Sequence, residues 1–289
     1  MAQRRLIINA DGFGFGPGAT QAIFDCICKG GLIKSVSVNA NFPDAQRTAE
    51  LIRLFPFVSV GVHLNPMVGR PCLPPQKIPT LVDENGFFYA KKFKHLLKNG
   101  KISVSELEME FDAQIEKVKQ LAGRNLTHLD SQANMHLEYF DLFLRLAKKW
   151  KIRRIRNNAS VICLEAVLPR ASRFMVYLRR PHVWAAHKYR RVQMSRARAQ
   201  GIRMASNLVT VGYSGNGNKT NSRTWENIFR NLPFGTFEMY CHPAYPDETL
   251  RKWAVYCEER AREAAILSSP WPLNTARSED VEIINFFDI

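Results

Sequence analysis

The sequence predicts an α/β fold, a single (β/α) barrel-like domain of parallel strands with an inserted basic helical segment at about residues 165–203. Three observations carry that expectation. Short apolar runs alternate with amphipathic stretches in β-α-β-α-β order, as parallel strands with helical crossovers require. Polar residues collect at the carboxyl ends of the apolar runs, where β/α barrels place their working groups. The 289 residues contain no repeat and no long linker, and they suffice for one substantial core, so the domain is read as residues 1–289.

The elements follow in order. "RRLIINAD" is a buried strand ending in a polar turn. "GPGATQAIFDCICKGGL" is a helix closed by Gly30 and Gly31. "IKSVSVNAN" and "VSVGVHLN" are strands on either side of a helix in "FPDAQRTAELIRLFP". A Pro-rich stretch from Pro66 to Tyr89 follows, and loops of that length are more often functional than accidental. "SVSELEMEFDAQIEKVKQLAG" is an amphipathic helix N-capped by Ser103 or Ser105. "NLTHLDS" is the fourth strand, "EYFDLFLRLAKKW" a helix and "IRRIRN" a fifth strand. "NLVTVG" and "TFEMYCH" are later strands, and "PDETLRKWAVYCEERAREAAIL" is one last long helix.

Composition excludes several classes. With 46% hydrophobic and 23% charged residues the chain is of globular type, and no apolar run nears the roughly 20 residues that span a bilayer. Only "LII" separates the first basic pair from Asn9 and Asp11, which is no signal-peptide core, so a cytoplasmic protein is expected. The six cysteines lack zinc-finger or redox spacing and read mostly as buried thiols. Gly14, Gly16 and Gly18 match neither a Walker nor a Rossmann loop. The net charge of +15 is uneven: Arg145 to Arg203 holds many Lys and Arg residues and one acid, Glu165. That segment is either a solvated face or a contact for an anionic membrane, peripheral to its inner surface. No nucleic-acid motif accompanies it, and no nucleic-acid partner is expected.

Strand ends supply the chemistry. Asn9 and Asp11 end the first strand, His63 and Asn65 the third, and His128 and Asp130 the fourth; Glu238, Tyr240 and His242 end a late one. Each alone could be a hydrogen-bonded structural residue, but together they predict a polar pocket. Phe13, Phe15, Tyr213, Tyr240 and Tyr245 lie in or beside the same loops, and aromatic faces can stack on sugar rings.

Four ordered stretches, "LIINADGFGFGPGATQAI", "VGVHLNPMVGRPCLPP", "THLDSQANMHL" and "EMYCHPAYPDETL", resemble the motifs of the YdjC-like carbohydrate deacetylases, and within them the hopanoid-biosynthesis-associated branch. The resemblance runs over nearly the whole chain. It implies hydrolytic N-deacetylation of a sugar, oligosaccharide or lipid-linked glycan, with a divalent metal, zinc or magnesium, and water. It puts Asp11 at the general base and His242 at a late acid or substrate contact. His63 matches one metal ligand. The metal-binding aspartate is here Gly12, the second histidine ligand is Gln132, and the next histidine of that motif is Asn134, although His136 remains as a metal candidate. Asn9, Asn65, Asp130, Gln132, Asn134, Glu238 and Tyr240 are left as substrate-binding candidates.

Three readings stay open. One is a deacetylase with a rebuilt metal site. Another is a metal-free hydrolase or transferase using Asp11 with Asp130 or Glu238. The third is a glycan-binding protein without catalysis.

Overall fold

The structure, a computed structural model, describes residues 3–159, 161–163, 181–211 and 221–289. Within them eight strands form one sheet: β1 (Arg4–Phe13), β2 (Ser35–Val38), β3 (Ser59–Leu64), β4 (Leu129–Ser131), β5 (Val161–Cys163), β6 (Asn207–Thr210), β7 (Gly235–Cys241) and β8 (Val281–Ile284). Their order is β4-β3-β2-β1-β7-β6-β5, with β8 alongside the first residues of β1, and every pairing is parallel. The sheet curls into an incomplete barrel.

Strand period two splits each strand between two environments. Leu6, Ile8 and Ala10 of β1, Val36 and Val38 of β2, and Val60, Val62 and Leu64 of β3 face the surrounding helices in one apolar cluster. The alternate residues meet one another inside. Asn9 bonds Ser35 and Ser37, and Ser37 approaches His63. Ile7, Ile284 and Phe286 form a small apolar plug. His128 stacks on Phe286 with ring centroids 3.8 Å apart. A Cβ on Gly61 would lie 2.5 Å from the His128 ring, so that layer closes only with glycine there. His128 therefore belongs to the plug and not to the polar pocket.

The helices are α1 (Pro17–Asp25), α2 (Thr48–Leu54), α3 (Phe93–Lys98), α4 (Val104–Ala122), α5 (Phe140–Lys149), α6 (Pro181–Ala199), α7 (Ser222–Asn231), α8 (Glu248–Trp253), α9 (Glu258–Leu267) and α10 (Trp271–Ser278). Pro17 opens α1, and the chain turns out of the following π-type turn at Gly31 with φ 67°. Ser103 caps α4 by accepting the Glu106 N–H.

Three expectations change. The last long helix is two helices, because Ala254 is extended (φ −90°, ψ 151°) and swings Tyr256 toward the barrel mouth. The fifth strand "IRRIRN" joins the sheet only through single bridges, Leu129 to Ile155 and Arg154 to Arg203. Of the basic insertion, residues 164–180 lie outside the described residues, as does Tyr213; the described remainder includes α6, which buries Gln193, Met194 and Ala197. The cysteines are not mostly buried: of the five described as free thiols, Cys26 and Cys241 are buried, Cys72 and Cys257 half-buried and Cys28 exposed.

Candidate active site

At the carboxyl end of the strands the sheet opens into a cavity of about 930 Å³. Asp11 reaches it through a bulge. Between Ala10 and Phe13, β1 spends three steps where β2 spends two, from Val36 to Val38. An extra residue of this kind bends a strand and re-aims its side chains. Asp11 is 6% exposed and lines the cavity with His63, Gln132, Asn134, Arg156, Tyr240 and His242.

The group at the centre is Arg156. Its Nη1 and Nη2 donate to Asp11 Oδ2 and Oδ1 at 2.6 and 2.7 Å. Its Nη2 also stands 2.8 Å from Asp130 Oδ2, and its Nε donates to Glu238 Oε1 at 2.6 Å. One planar guanidinium thus gathers three carboxylates from β1, β4 and β7. Burial would lower the Arg156 pKa, but Asp11, Asp130 and Glu238 together raise it well above the usual value. Burial pushes Glu238 up to about 7 against the pull of Arg156, and Glu238 Oε2 is buried with no hydrogen-bond partner. Asp130 is driven the other way: burial raises it, but Arg156 and His63 hold it below the usual carboxylate range.

His63 Nδ1 is 2.7 Å from Asp130 Oδ1, and its Nε2 is 3.2 Å from Gln132 Oε1. Burial would lower its pKa, yet the Asp130 carboxylate raises it overall. An imidazolium donating to both oxygens accounts for both contacts. His242 differs. Burial first, then the Arg260 charge, hold its pKa well below the ordinary value. Its Nε2 lies 4.0 Å from Asp11 Oδ2, and its Nδ1 lies 3.3 Å from the Tyr256 hydroxyl.

The floor is strained. Ala133 (φ 50°) and Asn134 (φ 57°) are both left-handed, a conformation that costs alanine about 1–2 kcal/mol and that asparagine adopts more readily. The turn faces Gln132 and Asn134 to the cavity. Its walls carry Phe15, Tyr89, Trp253 and Tyr256, with Lys91, Lys92, Lys252 and Arg260 among the cations.

Other expected site residues stand behind the wall. Asn9 donates to Asp11 and Ser37 and holds the Asp11 side chain in place. Asn65 binds the backbone of Met67 and Val68 and the side chain of Asn41, so it shapes a loop. Asp130 and Glu238 are fully buried and committed to Arg156. As a metal-free pair with Asp11 they would share that one guanidinium, and neither lines the cavity. His136 is fully buried against Phe143, bonds Ser131, and is held neutral by burial at a pKa of about 3. It is not brought to the Asp11 cluster. Arg156 and Arg260 were not singled out from sequence. The signal for Arg156 was its place at the end of the fifth apolar run.

A family model described as YdjC-like protein matches residues 5–277. The chain belongs to the YdjC-like family. Among similar proteins is a carbohydrate deacetylase of Listeria monocytogenes serotype 4a (strain HCC23), 30% identical over 99% of this chain and 100% of the relative. Another is a carbohydrate deacetylase of Thermoanaerobacter pseudethanolicus, 27% identical over 97% of each. A crystal structure from Enterococcus faecalis V583, described as a candidate cellobiose-phosphate cleavage protein, superposes with a TM-score of 0.77 at 26% identity over 99% of both chains.

YdjC-like deacetylation calls for a divalent metal, and Asp11, His63 and Asp130 do bring one ligand-capable atom each within 4.8 Å of one another. Their engagement does not fit an ion. Both Asp11 oxygens already receive Arg156. The 2.7 Å from His63 to Asp130 is hydrogen-bond spacing, whereas two ligands of one tetrahedral zinc stand about 3.3 Å apart. A Cβ on Gly12 would sit 3.9 Å from the Arg260 guanidinium, a second fixed cation on that side.

Proposed function

We propose that this YdjC-like chain is a carbohydrate-active hydrolase of the deacetylase type, removing an acyl group from a sugar amine, with Asp11 as general base and residues 1–289 acting as one catalytic domain. The observation that carries this reading is the Asp11 carboxylate, fixed by Arg156 and Asn9, facing His242 across 4.0 Å at the floor of a sugar-sized, aromatic-walled cavity.

In the proposed step, water between Asp11 and His242 attacks the acyl carbon while Asp11 Oδ2 takes its proton. The carbon–nitrogen bond breaks and the proton passes to the leaving amine, leaving a carboxylic acid and the free amino sugar. His242, neutral beside Tyr256, orients the water. Arg156 is a positioning residue: its two bonds leave Asp11 little rotational freedom. Gln132, Asn134 and Tyr240 are the sugar's polar contacts, and Phe15 and Trp253 offer ring faces.

The two guanidiniums favour chemistry without a divalent ion, so His63 serves as a charged partner of Asp130 and not as a ligand. Placement in the hopanoid-biosynthesis-associated branch, with a lipid-linked glycan as substrate and a cytoplasmic, membrane-peripheral location, is supported by the motifs and by α6. That helix has no acidic residue and exposes Trp184, Tyr189 and Val192 beside Lys188, Arg190 and Arg191.

The test is acetate release from a panel of N-acetylated mono- and oligosaccharides, with chelator present and absent. Turnover that survives chelator and falls at least about 100-fold in Asp11→Asn supports the reading. Sugar binding with no turnover, unchanged by Asp11→Asn, would make the chain a glycan-binding protein.

A further inference from the structure

We propose that Tyr256 is a positioning residue: its hydroxyl donates to His242 Nδ1 and fixes the Nε2–H tautomer, so that His242 works as a hydrogen-bond donor and not as a second base. The catalytic consequence rests on the deacetylase-type reading above; the tautomer itself does not.

The break between α8 and α9 delivers this side chain. Ala254 is extended, and an extended chain turns successive side chains to opposite sides. Val255 is accordingly 77% exposed, while Tyr256 turns inward and lines the cavity. Its hydroxyl oxygen lies 3.3 Å from His242 Nδ1. The same segment holds the histidine from behind, because Glu263 of α9 accepts the His242 N–H at 2.7 Å. Tyr240 meets the His242 ring edge-on, with centroids 5.4 Å apart and planes at 73°.

A neutral imidazole carries one N–H, and the partners of its two nitrogens set which of them bears it. At Nδ1 the partner is a phenol with the Arg260 guanidinium 4.9 Å from its ring centroid. A cation against the ring draws electron density from the oxygen, which strengthens the O–H as a donor and weakens the oxygen as an acceptor. Burial meanwhile keeps the phenol protonated, with its pKa raised above the usual range. At Nε2 the facing group is Asp11 Oδ2, 4.0 Å away, and a carboxylate only accepts. Both ends therefore place the proton on Nε2.

This assignment divides the labour in the site. A nitrogen that already bears hydrogen cannot take a proton from water, so Asp11 is left as the base. A water across the 4.0 Å gap accepts from Nε2–H and donates to Asp11 Oδ2, with a lone pair free for the acyl carbon. As it attacks, negative charge grows on the oxygens of the tetrahedral adduct. A neutral N–H already aimed there stabilises that charge without giving up its proton. The water's proton goes to Asp11 and from there to the leaving nitrogen, so His242 ends as it began.

Nitrogen-15 spectra of the full chain, labelled at histidine and recorded near neutral pH without substrate, read the tautomer directly. The His242 signal is assigned by its loss in His242→Gln. Wild-type His242 should be protonated at Nε2. Tyr256→Phe keeps the ring and loses only the hydroxyl, and it should bring in the Nδ1–H form. With an N-acetyl sugar that the wild type turns over, Tyr256→Phe should lower kcat about 10-fold or more and leave KM within about 2-fold. A merely structural tyrosine would move neither the tautomer nor that split. Wild-type His242 protonated at Nδ1, or a tautomer unchanged in Tyr256→Phe, overturns the proposal. The wild-type spectrum decides by itself if the variant does not fold. Absence of acetate release from every sugar would sink the deacetylation reading, while the spectra still settle the tautomer.

Discussion

Arg156 carries the largest consequence of any single residue in the cluster. Replacing it with methionine leaves Asp11, Asp130 and Glu238 buried together without a cation. The expected destabilisation in urea is about 3–5 kcal/mol. Arg156→Lys should fold better yet stay well below wild-type activity, because an ammonium cannot offer the planar fork to Asp11. In the sequence this arginine is one of three in "IRRIRN". Strand alternation puts Arg154 and Arg156 on one side, but Arg154 bonds the carbonyl of Ile289 while Arg156 enters the barrel. Only the closure of the sheet separates the two fates. Asp11, His63 and His242 were legible as cavity-lining residues because a β/α barrel turns its strand-end side chains into the mouth. The destinations of Asn65 and His136 were not, since a polar side chain reads the same whether it faces a ligand or a loop. Ala133 gives a second expectation: Ala133→Gly relieves a left-handed alanine and should raise stability by about 1 kcal/mol in the same assay. His136 gives a third. Burial keeps it neutral with a pKa of about 3, so the unfolded chain binds a proton that the folded one refuses. Stability from this group is whole above about pH 6.5 and is lost as pH falls toward 3. His136→Leu should flatten the fall in melting temperature over that window.

Among the elements, α4 does more than cover the sheet. Glu110 accepts the Cys72 and Leu73 N–H groups, and Gln114 bonds both the N–H and the carbonyl of Asn65. Two buried side chains on one helix face thus pin both ends of the stretch that leads toward Tyr89, Lys91 and Lys92 on the cavity wall. Glu110→Ala strands two backbone donors and should cost about 1–3 kcal/mol, read by denaturant unfolding. The helix itself was plain in the sequence from its 3.6-residue period and its Ser103 cap. Its buried acid was not, because Glu110 matters only once the Pro-rich loop has folded onto it. The break between α8 and α9 escaped for a related reason. No proline or glycine stands in "KWAVYC", and the kink is held by tertiary contacts, among them Tyr256 on His242.

Over the whole molecule, the βαβ order made the parallel sheet legible, whereas β8 and α10 were hidden in a short C-terminal stretch with weak periodicity. Charge at this scale predicts behaviour without reference to the fold. With +15 net and a basic, acid-free α6, the protein should be retained on anionic vesicles at low salt and released as ionic strength shortens the Debye length below about 8 Å. Equal retention on neutral vesicles would remove the membrane reading. No described helix is long and apolar enough to cross a bilayer. The Arg156 hub also bears on how the chain comes to be assembled. Its three carboxylates are spread along the chain, from Asp11, 145 residues before it, to Glu238, 82 residues after it. A nascent chain on the ribosome has made Asp11, Asp130 and Arg156 well before Glu238 leaves the exit tunnel. Until then β1 lacks β7, and the first half can form helices and strand pairs but cannot complete its barrel. Synthesis from one end therefore leaves the hub without Glu238, and β1 without its β7 neighbour, until the last quarter of the chain has been made.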